Sequence, residues 1–387
     1  MSEIRVNNLS NESLSGGPTI SGITTFSSPY LFTPPVGDTG SRPQSCPPGS
    51  LRFNTDSAKL EYYRGNTIGW VEIEAELTAP LGGGTGSNTG LGTRMVLMGG
   101  TDGSGVVDVI QFITISTLGN AQDFGNLSSA RQEGAAATNH LRGLYFGGDP
   151  SLNIIEFVTF SSLGNVTDFG DLLNGAKSGT SMSDRTRGVL QLGGPTANIL
   201  EYVTFAQTGN AVDFGDMLTG GSAGSGFSSS TRGVYAIGSN SANYKNIIEF
   251  ITISTTGNGT DFGDLSAALI HRNAYSNATR GVFHSGYQYP ASPNFSNNIE
   301  YVTIASTGNT IDFGDSLLGG FGCGGSSPTR GVAGGGYFAN SPTGEVGGFT
   351  NIIDFIEIAT TGNAVDFGDT TNVVRHIKGG SNGHGGL

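Results

Sequence analysis

The chain contains the string TGNAVDFGD twice, at residues 208–216 and 361–369. A motif that performs chemistry is normally needed once, so a motif copied along a chain more often marks a repeated structural unit. Aligning the chain on this motif reveals six units, each with an apolar run, then Gly-Asn, then Asp-Phe-Gly. The Gly-Asn pairs are Gly119-Asn120, Gly164-Asn165, Gly209-Asn210, Gly257-Asn258, Gly308-Asn309 and Gly362-Asn363. Any fold for this chain must therefore be built from six similar units.

The sequence pattern of each unit predicts four antiparallel strands, which we call a to d in chain order. Strand b is the Gly-Val run that follows a Thr-Arg-Gly turn, and strand a precedes that turn. Strand c is the apolar run, such as Ile154 to Phe160, which is β-branched and aromatic on both alternating faces, as in a strand covered on two sides. Thr-Gly-Asn is a hairpin turn, because Gly and Asn tolerate positive φ, and strand d carries Asp-Phe-Gly-Asp. With 65 glycines in 387 residues favouring short strands over helices, the predicted fold class is all-β.

The repeat varies in length almost only between strands b and c. Between the Arg before strand b and the first residue of strand c, the six copies contain 14, 11, 11, 14, 17 and 21 residues, whereas strand c and its turn keep one length. Antiparallel order places all these loops on one face, where insertions are tolerated and binding residues are common. The long loops contain Tyr287, Tyr289, Phe295, Tyr337, Phe338 and Phe349. These aromatics either contact a sugar or a protein, or pack down on the fold as lids.

The two ends of the repeat region predict closure. The last unit lacks its own strand b, and an orphan copy, Thr93 to Gly100, stands before the first strand c. Pairing of that copy with the C-terminal residues would close residues 93–387 into a six-bladed β-propeller and remove exposed sheet edges. Residues 81–92 are predicted as a Gly-rich linker and residues 49–80 as a small module of β-hairpins. Residues 1–48 are rich in Ser, Gly and Pro and are predicted to be extended, ordering only against a partner.

The repeat text NIIEFITISTTGNGTDFGDL, followed by TRGV, resembles repeats of structural and tail-fibre-like virion proteins of marine cyanophages. Its strand order is similar to that of kelch-type propellers, although the kelch Trp is lacking. GSLRFNTDSAKLEYYRGNTIGWVEIE, at residues 49–74, resembles a short β module near the start of phage fibre proteins. These resemblances imply a virion location and contact with other virion proteins through residues 1–48. They also imply a homo-oligomer, with a trimer suspected, and either host-surface attachment to a glycan or protein, or decoration of a capsid or tail.

Two charged columns recur in the units, and we interpret both as structural. Each Arg is expected to bind an acidic or carbonyl group of its own or the adjacent blade, because an unpaired buried charge costs several kcal/mol. The Asp side chains are expected to hold backbone N–H groups in turns, as Asp213 and Asp216 could, with a Ca²⁺ site as the alternative. The columns are Arg94, Arg142, Arg187, Arg232, Arg280 and Arg330, and Asp123, Asp168, Asp213, Asp261, Asp312 and Asp366.

Composition and motifs argue against several function classes. A net charge of -13 disfavours nucleic acid, and no apolar stretch of about 18 residues predicts membrane insertion. A kinase has one Asp-Phe-Gly with partner motifs, which this chain lacks. No two of the five histidines lie at metal-ligand spacing, and we interpret them as polar surface: His140, His271, His284, His376 and His384. We therefore expect a non-enzymatic protein without cofactor or metal, with a propeller glycan hydrolase as the enzymatic alternative.

Overall fold

The computed structural model describes residues 34–57, 59–72, 93–194, 198–240, 243–288, 295–337 and 348–387. These residues form strands and no helix, so none of them lies in a helix that could cross a bilayer. The chain divides into two compact units, Met1–Glu76 and Leu77–Leu387. The predicted linker at 81–92 and most of the predicted extended segment lie outside the described residues.

The N-terminal unit is one sheet in the order β1-β2-β3-β4. Its strands are β1 (Val36–Gly37), β2 (Leu51–Asn54), β3 (Lys59–Tyr63) and β4 (Trp70–Glu72). β2 to β4 are the hairpin strands that the sequence predicts. β1 lies within the segment predicted to be extended and to order only against a partner. It pairs in parallel with β2, where Phe53 N donates to Pro35 O at 2.8 Å.

In the second unit the described strands, apart from one short hairpin, form sheets of four, each antiparallel and in the order a-b-c-d. Sheet 1 contains β5 (Arg94–Met98), β6 (Val109–Thr114) and β7 (Gln122–Asn126), with β30 (Lys378–Ser381) as its strand a. Sheet 2 contains β8 (Ala135–Thr138), β9 (Arg142–Phe146), β10 (Leu152–Thr159) and β11 (Thr167–Ala176). Sheet 3 contains β12 (Thr180–Ser183), β13 (Arg187–Gln191), β14 (Ile199–Thr204) and β15 (Val212–Asp216).

Three further sheets follow in the same order. Sheet 4 contains β16 (Ser225–Ser228), β17 (Arg232–Ala236), β20 (Ile247–Thr252) and β21 (Thr260–Asp264). A small hairpin, β18 (Ser239–Asn240) and β19 (Asn243–Tyr244), lies in its b-to-c connection. Sheet 5 contains β22 (Asn273–Ser276), β23 (Arg280–Tyr287), β24 (Phe295–Thr303) and β25 (Ile311–Asp315). Sheet 6 contains β26 (Cys323–Ser326), β27 (Arg330–Gly334), β28 (Ile352–Glu357) and β29 (Val365–Asp369).

Sheet 1 joins the two ends of the repeat region. β5 pairs with β30 from Met98 opposite Lys378 to Met95 opposite Ser381. The orphan strand b therefore pairs with C-terminal residues, as the sequence predicts. The all-β architecture of four-stranded antiparallel sheets is consistent with a β-propeller-like fold.

The repeated Gly-Asn and Asp-Phe-Gly motifs meet at the junctions between adjacent sheets. Between sheets 2 and 3, Gly209 N donates to Phe169 O at 2.7 Å, and Asp171 N donates to Asn210 Oδ1 at 3.0 Å. Gly170 has φ +149°, and a Cβ there would lie 2.4 Å from Gly209 O, so only glycine permits this approach. The same pair of bonds joins each later sheet to the next.

Sheets 6 and 1 are joined by the same contacts as sequence neighbours. Gly119 N donates to Phe367 O at 2.9 Å, and Asp369 N donates to Asn120 Oδ1 at 3.1 Å. The repeated motif is therefore a sheet-to-sheet contact rather than a chemical site.

The Asp column lies in strands d, with its side chains exposed. Asp213 and Asp216 belong to β15, and it is the backbone N–H of Asp216 that donates, to Asn258 Oδ1 at 3.0 Å. Both residues lie in a strand rather than a turn, and neither carboxylate accepts a hydrogen bond from a backbone N–H of the described residues, so the hypothesis that they hold a turn is wrong. Alternation along the strand turns Phe214 into the core and its flanking side chains outward.

Each Arg of the repeated column stacks on an aromatic ring of its own sheet and donates to a carbonyl of the following sheet. Arg232 Cζ lies 4.6 Å from the Phe250 ring centroid, and its Nη1 donates to Ile304 O at 3.0 Å. The predicted carbonyl partner in an adjacent sheet is present for all six. The acceptors are Phe160 for Arg94, Phe205 for Arg142, Ile253 for Arg187, Ile304 for Arg232, Ile358 for Arg280 and Ile115 for Arg330.

Candidate functional site

The strands a lie side by side, and we call them the inner strands: β8, β12, β16, β22, β26 and β30. Each ends in Ser or Thr, and five of these hydroxyls donate to a carbonyl of a neighbouring inner strand. The donor and acceptor pairs are Ser183 to Thr138, Thr138 to Ser381, Ser381 to Ser326, Ser326 to Ser276 and Ser276 to Ser228, all at 2.6–2.9 Å. Ser183 N donates to Ser228 Oγ at 2.8 Å, so the series returns to its start.

The inner strands surround a space of ≈ 100 Å³, which we call the inner cavity. The second residue of each inner strand is small and only partly buried: Ala136, Ser181, Gly226, Ala274, Gly324 and Gly379. The first residue of each also lines the cavity: Ala135, Thr180, Ser225, Asn273, Cys323 and Lys378. Small residues in the second position leave the cavity open, and the first position contributes Thr180, Ser225, Asn273 and Lys378 to its polar lining.

Residues 382–387 cover the inner cavity beside the Ser and Thr hydroxyls. His384 Nε2 lies 2.8 Å from Thr138 O and 3.3 Å from Ser183 Oγ. Gly385 N donates to Ser276 O at 2.9 Å. Burial lowers the pKa of His384, so this imidazole is neutral near pH 7 and can act as a hydrogen-bond partner without carrying charge.

Six residues with positive φ precede the inner strands at their other end, and we call them the rim. Each rim N–H donates to the carbonyl of another rim residue, at 2.6–3.2 Å, in a series that closes when Glu133 N donates to His376 O. Left-handed backbone at non-glycine residues is sparsely populated and concentrates at functional sites. The rim residues are Glu133 (φ 57°), Ser178 (55°), Ala223 (54°), His271 (51°), Phe321 (66°) and His376 (54°).

The rim side chains form a polar cluster beside an aromatic one. Glu133 Oε2 accepts from Ser178 Oγ at 2.6 Å, and Glu133 Oε1 lies 3.2 Å from His376 Nδ1. The His271 ring stacks on Phe321 at 4.2 Å and meets the His376 ring edge-on at 5.4 Å. The rim thus joins a carboxylate, a hydroxyl and two imidazoles from distant parts of the chain.

Burial sets the charge of both rim imidazoles. It lowers the pKa of His376 to about 4, against the opposing effect of Glu133, and it lowers the pKa of His271 well below the usual value. Both rings are therefore neutral near pH 7. The interpretation of the histidines as polar surface is wrong for this pair, whose rings pack together in the rim. It is also wrong for His384, which lines the inner cavity, and for His284, which is fully buried.

Aromatic side chains of the long b-to-c connections converge on the rim. Phe295 stacks on Tyr337 at 4.7 Å, Phe349 meets Tyr337 at 5.4 Å, and Tyr287 meets Phe321 at 5.4 Å. Arg375 lies over the Phe349 ring at 4.4 Å and donates to Tyr337 Oη. Of the six aromatics singled out from the sequence, these four are partly buried and packed together, whereas Tyr289 and Phe338 lie outside the described residues.

The rim was missed by the sequence reasoning, although a signal for it exists. The first five rim residues each stand nine positions before the Arg of the repeated column, for example Glu133 before Arg142 and His271 before Arg280. Reading that column down the repeats gives Glu, Ser, Ala, His and Phe. A repeat position with a different side chain in each copy is a candidate for local chemistry.

The chain matches no protein-family model and no curated protein. Within the described residues, no group of three or more His, Cys, Asp or Glu side chains is arranged to hold a metal ion. Function is therefore inferred from the inner cavity, the rim and the aromatic side chains beside it.

Proposed function

We propose that residues 93–387 form a closed six-bladed β-propeller. Three series of hydrogen bonds support this arrangement: the sheet junctions, the hydroxyls of the inner strands, and the rim. In each series the last member bonds back to an earlier one, as Asp369 N of sheet 6 does to Asn120 Oδ1 near sheet 1. A closed ring of blades explains why all three series of hydrogen bonds are circular, because every blade in a ring has a neighbour on both sides.

We propose that the chain is a non-enzymatic structural protein of a phage virion, resembling a tail fibre, whose propeller binds a host-surface glycan or protein. Residues 1–48 would bind other virion proteins, and the assembly would be a homo-oligomer, with a trimer favoured by analogy with fibres. The resemblance of the repeats to cyanophage virion proteins supports the location. A virion-surface decoration protein without receptor binding is the alternative in the same class.

The observation that carries the binding proposal is the convergence of aromatic rings with the polar rim. Phe295, Tyr337 and Phe349 are partly exposed and lie on the face that carries the b-to-c loops. Apolar ring faces beside a few fixed polar groups, here Glu133 and His376, are the composition of small-molecule and sugar sites.

A glycan hydrolase is the rival, and the Glu133–His376 pair is the feature that favours it. Glycoside hydrolysis usually requires two carboxyl groups that flank the scissile bond. Within the described residues the rim contributes one, Glu133. We therefore place binding ahead of hydrolysis.

The test is binding of the full chain to host cells and to a panel of surface glycans. Phe295→Leu combined with Phe349→Leu keeps apolar volume and removes two ring faces, so binding should fall at least about tenfold. Leu163→Ala is the matched control, since Leu163 is 58% exposed in a c-to-d turn at the opposite end of the strands. Unchanged binding in the double variant would refute attachment through this face, and release of reducing sugar ends from a bound glycan would establish the hydrolase.

A further inference from the structure

We propose that the inner cavity binds a small oxyanion, a carboxylate or phosphate group, through Lys378 and Asn273. This inference is independent of the proposed attachment function, because it rests on the cavity alone. It would stand even if the rim and its aromatic neighbours bound nothing.

The lining of the inner cavity carries cationic side chains and no carboxylate. The lining contains Arg272, Lys378 and His384 and no Asp or Glu. Arg272 is compensated, since its Nη1 lies 2.5 Å from Glu300 Oε1. No ion pair joins Lys378 to a carboxylate of the described residues. In a chain of net charge -13, the cavity therefore presents one uncompensated cation.

The position of Lys378 disfavours the charged form of its side chain. Burial lowers the pKa of its ammonium group, although Cys323 and Glu133 oppose that effect. Glu133 is already engaged by Ser178 Oγ and lies beside His376. Lys378 is partly buried, and an ammonium that has lost part of its solvation without gaining an ion pair is destabilising. An anion bound beside it would compensate for that loss.

Asn273 provides independent evidence for a ligand. Its side chain is fully buried, yet neither Nδ2 nor Oδ1 has a hydrogen-bond partner among the described residues. Buried amides in native structures almost always have partners, so this one indicates a ligand or water. Asn273 and Lys378 are both first residues of inner strands, as are Thr180 and Ser225, and all four line the cavity.

These four side chains match an oxyanion. The ammonium, the amide N–H and the two hydroxyls can all donate, and carboxylate or phosphate oxygens accept several such bonds at once. A metal cation would find no carboxylate in the lining. The volume of ≈ 100 Å³ admits only a group of a few atoms, so the ligand is a small anion or the anionic end of a larger molecule.

Calorimetric titration of the full chain with sodium acetate, sodium phosphate and acetamide tests this site. Ionic strength is held constant with sodium chloride, so that only binding stronger than that of chloride registers. Acetamide has the shape of acetate without its charge and should not bind. Heat from acetate alone assigns a carboxylate and heat from phosphate alone assigns a phosphate; heat from neither overturns the proposal.

Lys378→Met gives a second readout, with Lys177→Met as control, because Lys177 is exposed and paired with Asp149. We expect anion affinity to fall at least about tenfold in Lys378→Met and to be unchanged in the control. Without anion, Lys378→Met should melt at a higher temperature than the parent, because a partly desolvated charge without an ion pair is removed. Lower stability with unchanged affinity would overturn the proposal. If Lys378→Met does not fold, Asn273→Ala is titrated instead, and undiminished affinity there contradicts the site.

Discussion

The sheet junctions and the rim are both built from positions that recur in every unit, but only the junctions repeat their side chains. At the junctions, a Gly such as Gly170 meets another such as Gly209, and larger side chains would collide with backbone. At the rim, the backbone repeats with φ between 51° and 66°, while the side chain changes from Glu133 to His376. Where packing fixes the residue, the copies agree. Where only the backbone is fixed, the side chain is available for another purpose.

The composition of the rim supports this distinction. Its six residues are Glu, Ser, Ala, His, Phe and His, and none is β-branched. β-branched side chains are poorly compatible with left-handed backbone, which explains their absence from these six positions. Identical columns therefore report architecture, and varied columns with a common backbone are where chemistry is expected.

The largest effect is expected at a junction. Gly314 and Gly362 meet between sheets 5 and 6 and have similar φ, +150° and +158°. A Cβ on Gly314 would lie 2.4 Å from Gly362 O, whereas a Cβ on Gly362 would meet nothing within 4 Å. Gly314→Ala should therefore lower the free energy of unfolding by about 3 kcal/mol or more, and Gly362→Ala by about 1 kcal/mol from backbone strain alone.

Urea denaturation of the two variants measures this difference. Because φ is nearly the same, Gly362→Ala controls for strain, and the remainder is the steric collision. Equal losses in the two variants would mean that backbone conformation, not the approach of adjacent sheets, explains the repeated glycine.

The strands, the hairpins and the pairing of the two ends of the repeat region were predictable from sequence. Apolar runs that are β-branched and aromatic on both faces located strand c, and constant spacing from strand c to the next Gly predicted the hairpins. The last unit lacks strand b and an orphan strand b lies at Thr93 to Gly100, so the sequence predicted that the two would pair, as they do. These inferences succeed because strand pairing within a unit depends on local pattern and turn length.

Side-chain roles that depend on packing between units were harder to predict. Glu133 and His376 are 243 positions apart and meet only because the inner strands lie side by side. The Asp residues of Asp-Phe-Gly were expected to hold turns, but the direction of their side chains is set by Phe214 and its equivalents entering the core. The unpaired amide of Asn273 has no sequence signature at all, since it follows from what surrounds it.

The rim should make stability depend on pH. Burial lowers the pKa of His376 to about 4, so the folded state binds fewer protons than the unfolded state between about pH 4 and 6.5. The contribution of His376 to the free energy of unfolding is therefore fully present above pH 6.5. It is lost as pH falls through that window, by up to about 3 kcal/mol. Around His376, Glu133 and Asp149 favour protonation, while Arg375 and Lys378 oppose it.

His376→Gln removes the titrating ring and should flatten this dependence. Unfolding free energies are measured from pH 7 to pH 4 for both proteins, and the difference between the two curves isolates the contribution of His376 from that of the carboxylates. Parallel curves would mean that His376 titrates alike in the folded and unfolded states.

The smallest effect is expected in the Asp column, which repeats without variation yet is exposed. Asp261 of strand d lies directly opposite Glu249 of strand c, so the two acidic residues can be compared at adjacent positions of one sheet. Glu249 is buried and accepts from Leu218 N, Thr219 N and Tyr235 Oη at 2.8–3.0 Å. Asp261→Ala should change the free energy of unfolding by no more than about 0.5 kcal/mol, whereas Glu249→Ala leaves buried donors unpaired and should cost about 2 kcal/mol.

Urea denaturation with and without calcium chloride tests the Asp column against its alternative role. If Asp261→Ala destabilises as much as Glu249→Ala, repetition of a side chain implies a packing role even at an exposed position. A calcium-dependent rise in stability that Asp261→Ala abolishes would assign the column to cation binding. If Asp261→Ala has a negligible effect in both conditions, only the Gly, Asn and Phe residues of the motif stabilise the junction, because these make the contacts between sheets. The exposed carboxylates then contribute only to the net charge of -13.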